Sequence, residues 1–265
     1  MATITLKSGI TIACLSRFEA RVVEEETEAY FSAGLLLPRN STVLDVGAHV
    51  GIFSLGALAN QRESRIYAFE PAPRSFDLLR ENVARLGESR IEAINIGLSD
   101  QERSATLHYF PRCPALSTLH PEIWGNNVEL LSELIRGKTR SVSRDQAWRH
   151  LPDCLSGVAA HWVHRKAELE RVNLKTISGF VAERSLQKID LLKVDCEGHE
   201  TEVLCGISST DWPVIHRVLV EVHDIDDRLA RVKTMLESRG FRKVRSVQSE
   251  AFKTTNIHLT FASRR

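Results

Sequence analysis

The sequence has no surplus of either charge: 35 lysines and arginines stand against 34 aspartates and glutamates, a formal net charge of +1. That balance argues against a dedicated nucleic-acid binder, whose affinity depends on a large positive excess. No apolar run approaches the length needed to cross a bilayer. The opening Met1-Ala2-Thr3-Ile4-Thr5-Leu6-Lys7 lacks the basic-then-apolar layout of a secretory signal. The expectation is a cytoplasmic protein with neither membrane nor nucleic acid as partner. Cysteine is scarce as well. Cys14, Cys113, Cys154, Cys196 and Cys205 are odd in number, scattered, and form no C-x-x-C pair, which argues against a disulfide framework, and reduced thiols are expected. There is no internal repeat and no low-complexity tract. What remains is 265 residues, 43% of them hydrophobic, enough for a substantial core and read as a single domain over 1–265.

Along the chain, Ile4 to Ile12 alternates around Ser8-Gly9 and predicts a hairpin, and Arg21 to Leu37 predicts a helix leading into the core, so that 1–41 form an N-terminal hairpin and helix. Thr42–Val46 reads as a buried strand, followed by a glycine turn and an apolar helix over Ile52–Ala59. Arg65–Phe69 is a second strand, Ser75–Leu86 a helix with Phe76, Leu79, Val83 and Leu86 at helical spacing, and Ile91–Ile96 a third strand. Strands alternating with helices imply a parallel sheet covered on both faces.

After Asp100 the rhythm breaks. Thr106–Phe110 reads as an extra strand, and 111–165 as an inserted lid in which only Val128–Ile135 looks helical. Nine Lys/Arg against four Asp/Glu lie between Arg136 and Lys175. Regularity returns at Val172. A short helix is expected over Ser178–Arg184, a fourth strand over Ile189–Asp195, and a helix from His199. A fifth strand follows over Val214–Val222, a helix over Ile225–Arg239, a sixth strand over Phe241–Val247 and a seventh over Ile257–Ala262, the last two close enough to pair antiparallel.

The most informative stretch is Asp45-Val46-Gly47-Ala48-His49-Val50-Gly51, between a strand and a helix. Gly47 suits a tight turn against a ligand, and Gly51 lets the helix start close to the sheet. Asp45, at the strand's carboxyl end, is placed to accept backbone N–H bonds or to face a cation. Glu70 ends the next strand 19 positions after Gly51, where an acidic side chain reaches ribose hydroxyls. A dinucleotide site wants G-x-G-x-x-G, but His49 holds the second glycine position, so a nicotinamide-dependent oxidoreductase is disfavoured. S-adenosylmethionine carries no phosphate and does not need that fingerprint.

Val43–Phe53, Tyr67-Ala68-Phe69-Glu70-Pro71 and Ile189–Glu200 resemble the hallmarks of the FkbM family of S-adenosylmethionine-dependent O-methyltransferases. The likeness continues through Asp211-Trp212-Pro213 and Val220–Asp224 to Phe261–Arg265, and includes Gly9-Ile10 and Tyr30-Phe31…Gly34. Gly97-Leu98-Ser99-Asp100…Tyr109-Phe110-Pro111…Leu116-Ser117 is most similar to members built into polyketide synthase and peptide synthetase modules. The resemblance implies a class I methyltransferase fold, a Rossmann-like, doubly wound, seven-stranded α/β sheet with an antiparallel C-terminal hairpin. It also implies S-adenosylmethionine held by Asp45, Gly47, Ala48, His49, Gly51, Phe53, Glu70, Pro71, Ser99 and Asp195. His49 stands where the family more often has Asn, and His199 replaces a usual small residue, so no family role is carried onto His199. The acceptor implied is a hydroxyl of a polyketide or peptide intermediate, free or presented on an acyl or peptidyl carrier protein. A sugar hydroxyl is the enzymatic alternative. A catalytically inactive nucleotide-binding module is disfavoured by the retention of Asp45, Glu70, Asp195, Glu197 and His223.

In a doubly wound sheet, ligands bind outside the carboxyl ends of the strands, which places Asp195-Cys196-Glu197 and Glu221-Val222-His223-Asp224 beside the methyl donor. A hydroxyl needs a base as the methyl transfers, and such help is typically worth ~10²–10⁴-fold. His223 is the expected base, with Glu197 stabilising its imidazolium and Asp195 positioning donor or acceptor. The alternative is a divalent metal on Asp195, Glu221 and His223, lowering the hydroxyl's pKa. In the lid, His150, Cys154, His161 and His164 match no standard zinc spacing and read as exposed or packed residues. Trp124, Trp148 and Trp162 suit an acyl pocket, a carrier-protein contact or simple packing equally.

Overall fold

In the computed structural model the described residues are 1–124, 167–248 and 255–264. The chain opens with β1 (Ala2–Thr5) and β2 (Thr11–Cys14), an antiparallel hairpin, and α1 (Arg17–Ser32). This helix starts and stops earlier than the apolar spacing predicts. Ser16 caps it, its hydroxyl accepting from the Glu19 N–H at 3.3 Å. Gly34, at φ +95°, ends it, with its own N–H turned back to the Phe31 carbonyl.

The central unit follows as β3 (Thr42–Val46), α2 (Ile52–Asn60), β4 (Arg65–Phe69), α3 (Pro73–Arg85) and β5 (Ile91–Ile94). Next come β6 (Gly97–Leu98), β7 (Arg103–Tyr109), a helical turn at Pro121–Trp124, β8 (Glu168–Lys175) and α4 (Ile177–Arg184). The chain continues through β9 (Leu191–Val194), α5 (Glu200–Cys205), β10 (Arg217–His223), α6 (Arg228–Ser238), β11 (Lys243–Val247) and β12 (Ile257–Ser263).

Seven strands form the main sheet in the order β11-β12-β10-β9-β3-β4-β5. β12 runs antiparallel to both β10 and β11, while β10, β9, β3, β4 and β5 are mutually parallel. The class I methyltransferase sheet and its terminal antiparallel pair are thus as expected. Successive residues of each central strand enter opposite layers: Val43, Ile66 and Ala68 pack under the N-terminal hairpin, α1, α2 and α3. Leu44, Tyr67 and Phe69 pack under α4, α5 and α6. Burial on both faces is why these strands read as nearly continuous apolar runs.

The three-stranded sheet β6-β8-β7 was only partly anticipated. β7 is the expected extra strand, but its antiparallel partner β8 begins at Glu168 rather than at Val172. The first half of β8 is exposed and charged, and only Val172 and Leu174 turn inward, so its early residues carry no apolar signal.

The site lies where β3 and β9 meet. Connections from β3 run to β4 and β5 on one side, while β9 and β10 lie on the other, so this is the topological switch point. Val46 and Val194 are in register there, and the Asp195 N–H donates to the Val46 carbonyl at 3.1 Å.

Candidate active site

The glycine loop after β3 is held from within. The N–H groups of Gly47 and Ala48 both donate to the Phe69 carbonyl, at 3.0 and 2.9 Å. The His49 N–H donates to Glu70 Oε2 at 2.8 Å, and that of Gly51 to the Ala48 carbonyl at 2.8 Å. Gly47 has φ +76°, and a Cβ there would lie 1.8 Å from the Asp195 carbonyl oxygen, so both conformation and space demand glycine. A pyrophosphate site needs such N–H groups free and no carboxylate among them. Here they are already engaged, one of them by Glu70.

Asp45 is buried and takes no backbone N–H, which corrects that half of its expected role. Its Oδ2 accepts from the Ser54 hydroxyl at 2.7 Å, and Oδ1 pairs with Lys193 Nζ at 3.1 Å. Lys193 is the residue the sequence analysis missed. It stands opposite Asp45 in the β3–β9 register, donates to the Gly47 carbonyl at 3.0 Å, and also approaches Asp195 at 3.4 Å. Burial pushes the ammonium down, but the Asp45 and Asp195 carboxylates outweigh it and hold Lys193 above the ordinary lysine value. One cation therefore fixes the loop and both carboxylates.

Glu70 is buried at the end of β4, with Oε1 accepting from the Ala72 N–H at 2.9 Å. Burial raises its carboxyl to about 7 against the opposing pull of these two N–H groups. Glu70, Pro71, Gly47, Ala48 and His49 line a cleft of about 1050 Å³, measured to its open mouth, and Phe53 and Asp195 line it too. Phe69 and Leu98 add apolar wall. Asp45, Gly51 and Ser99 do not line it. Gly51, at φ +92°, faces Leu79 of α3, and buried Ser99 sits behind His199, its Oγ 2.9 Å from His199 Nε2.

The expected catalytic residues come together with their places exchanged. Glu197, at φ +51°, reaches the cleft wall. His223 is fully buried behind it, Nε2 at 3.2 Å from Glu197 Oε2 and Nδ1 at 3.1 Å from Glu200 Oε1. Both ring nitrogens thus face carboxylates within the protein, so the expectation that His223 itself meets the acceptor is corrected. It ends β10 on the same strand face as Glu221, which lines the cleft, but Glu197 and Glu200 stand against both its ring nitrogens and shut the ring off from it. Burial pushes His223 down, yet Glu200 and Glu197 together carry it well above the ordinary histidine value. The postulated metal set of Asp195, Glu221 and His223 is not gathered. Glu221 Oε2 accepts from the buried Tyr30 hydroxyl at 3.3 Å, and His223 is committed to Glu197 and Glu200. The lid helix expected at Val128–Ile135 and the lid residues Trp148, His150, Cys154, His161, Trp162 and His164 lie outside the described residues, as does the side chain of Trp124.

The cleft fits an adenosyl amino acid. Buried Glu70 offers carboxylate oxygens where a ribose diol needs acceptors, Asp195 and Glu197 offer negative charge to an ammonium or sulfonium, and the N–H groups of Gly47, Ala48, His49 and Gly51 are already engaged rather than turned to a phosphate. A doubly wound sheet with an antiparallel final pair and this cleft define an S-adenosylmethionine-dependent methyltransferase. The family model described as the methyltransferase FkbM domain matches residues 45–243, and the chain belongs to that family. It is 32% identical to 31-O-demethyl-FK506 methyltransferase FkbM of Streptomyces tacrolimicus, over 99% of this chain and 96% of that one. It is 31% identical to methyltransferase sdnD of Sordaria araneosa, over 86% and 84%. It is also 29% identical to a segment of the AMB antimetabolite synthetase AmbE of Pseudomonas aeruginosa, over 90% of this chain and 11% of that one.

Proposed function

We propose that this enzyme methylates a hydroxyl of a secondary metabolite, a polyketide or peptide intermediate, free or carrier-bound. The observation that carries this reading is the carboxylate of Glu197 on the cleft wall, backed by the row His223–Glu200. When bound, S-adenosylmethionine supplies an electrophilic methyl on a sulfonium. Glu70 would hold its ribose, Phe53 and the walls at Phe69 and Leu98 its adenosine, and Asp195 its charged end. Glu197 takes the acceptor's hydroxyl proton as the oxygen is alkylated. An imidazolium beside a carboxylate favours the anionic form, so His223 keeps Glu197 ready and Glu200 keeps His223 charged. His223 is then a positioning residue rather than the base itself.

The names of the relatives support this substrate class. One is named a 31-O-demethyl-FK506 methyltransferase and another is an antimetabolite synthetase. The test is mass spectrometry of hydroxylated metabolites, free and carrier-loaded, incubated with enzyme and S-adenosylmethionine. Gain of one methyl on such an oxygen supports the reading. Methylation confined to sugar hydroxyls, or to nitrogen or carbon, overturns it.

A further inference from the structure

Next to the cleft, His120, His199 and Glu202 bring three potential metal ligands together. His120 Nε2 and His199 Nδ1 face each other at 2.9 Å. Glu202 Oε1 lies 3.7 Å from the first, and Oε2 lies 3.8 Å from the second. Glu202 Oε2 is buried and has no hydrogen-bond donor.

The outer nitrogens decide what the inner ones are. His120 Nδ1 lies 2.9 Å from Glu122 Oε1, which can only accept from it, so the proton is on Nδ1. His199 Nε2 lies 2.9 Å from Ser99 Oγ, whose hydrogen is already donated to Asp100 Oδ1 at 2.9 Å. His199 must therefore donate through Nε2. With both rings neutral, two imidazole lone pairs point at one another at 2.9 Å with carboxylate oxygens beside them, a gap that only a proton or a metal cation can fill. A proton alone leaves the buried Glu202 Oε2 without a partner, whereas a metal ion would engage all three side chains.

We propose that His120, His199 and Glu202 bind a divalent transition-metal ion of the zinc type, with a fourth position open to water. Two imidazoles and a carboxylate suit Zn²⁺ and disfavour Mg²⁺ or Ca²⁺, which take oxygen ligands. Zn–N bonds of about 2.0–2.1 Å in a tetrahedron set ligand atoms about 3.3 Å apart. The histidine nitrogens need only part by a few tenths of an ångström, while Glu202, now presenting a different oxygen to each histidine at 3.7 and 3.8 Å, must turn one oxygen toward both. Each histidine already has the outer partner that ligating histidines use to fix tautomer and ring orientation: Glu122 for one, the Ser99–Asp100 pair for the other. The ion would fasten the 118–122 segment onto the loop after β9. That segment already touches the loop through the Thr118 hydroxyl, which donates to the Glu197 carbonyl at 2.5 Å.

The full chain, stripped by chelator, is titrated with ZnCl₂ against a chromophoric competitor, while thermal unfolding is followed with and without the ion. The expected result is one equivalent bound, with a higher unfolding temperature in the loaded protein. The equivalent is lost in His120→Ala and weakened about 10–100-fold in Glu122→Gln, whose partner only orients the ligand. Glu202→Gln gives an independent reading should His120→Ala fold poorly, and Co²⁺ loading should produce a tetrahedral visible band that Glu202→Gln alters. Undiminished binding in His120→Ala and Glu202→Gln would place the ion elsewhere in the chain. Failure of the native chain to bind an equivalent would mean that the two nitrogens share a proton only. Either result overturns the proposal.

Discussion

Gly47 and Asp195 touch across the β3–β9 junction so closely that a Cβ on Gly47 would stand 1.8 Å from the Asp195 carbonyl. Gly47→Ala therefore meets two obstacles, a backbone clash and a side chain at φ +76°. The loop must move away from β9, carrying Ala48 and His49 with it. The expected outcome is a folded protein whose S-adenosylmethionine affinity, measured by calorimetry, falls at least about tenfold, the equivalent of ~1.4 kcal/mol.

Lys193 is buried between Asp45 and Asp195. Removing its charge alone, as in Lys193→Met, leaves Asp45 buried beside no cation and should cost about 3–5 kcal/mol in urea unfolding. Adding Asp45→Asn should recover much of that loss, because the stranded charge is then gone. A double variant no more stable than the single one would refute the pairing.

For Glu70 the pH dependence has a definite sign. Its folded value of about 7 lies above the ordinary 4.5, so between those limits the folded chain binds more protons than the unfolded one. Its contribution is complete below about pH 4.5 and lost as pH rises through 7. The stability of the native chain minus that of Glu70→Gln should decline over this window. A flat difference would show an unshifted carboxyl.

Turnover separates Glu197 from its support. Glu197→Gln should reduce kcat by ~10²–10⁴-fold with nearly unchanged S-adenosylmethionine affinity. His223→Asn removes the charge behind it and should lower kcat less, while moving the pH profile of kcat. Native-like turnover by Glu197→Gln would remove this carboxylate from the mechanism.

Asn82 joins the N-terminal hairpin to the glycine loop. Its side chain accepts from the Ala13 N–H at 2.7 Å and donates to the carbonyls of Ala13 and Val50, both at 2.9 Å. Asn82→Ala strands buried backbone groups and should destabilise the fold by at least ~1–3 kcal/mol, read from chemical denaturation. An unchanged midpoint would show that these bonds are replaced by water.

How much of this was legible in the sequence follows from burial. Strands buried on both faces, such as Thr42–Val46 and Leu191–Val194, write their presence as apolar runs, and the loop between Asp45 and Gly51 announces a ligand. β8 stayed partly hidden because its first residues face solvent. Lys193 was hidden because one polar letter in a buried strand does not name its partner. A signal did exist, since a lysine in such a strand cannot stay charged without a nearby carboxylate, and Asp45 lies one strand away at the same level. The exchanged places of Glu197 and His223 were not legible, because alternation tells which way a strand residue points but not what stands in front of it. His199 received no role because it departs from the family's usual small residue, and its neighbours His120 and Ser99, which arrive from distant parts of the chain, were not legible either.

Because β12 slots between β10 and β11 instead of beside β11 alone, one half of the sheet waits for a segment made after both its neighbours. Until residues 257–263 emerge during synthesis, β10 presents an open, strongly apolar rim on the side β12 will occupy. Nascent chains halted before Ile257 should consequently be sticky substrates for chaperones, and shortening the sequence there should yield insoluble material rather than a smaller working enzyme.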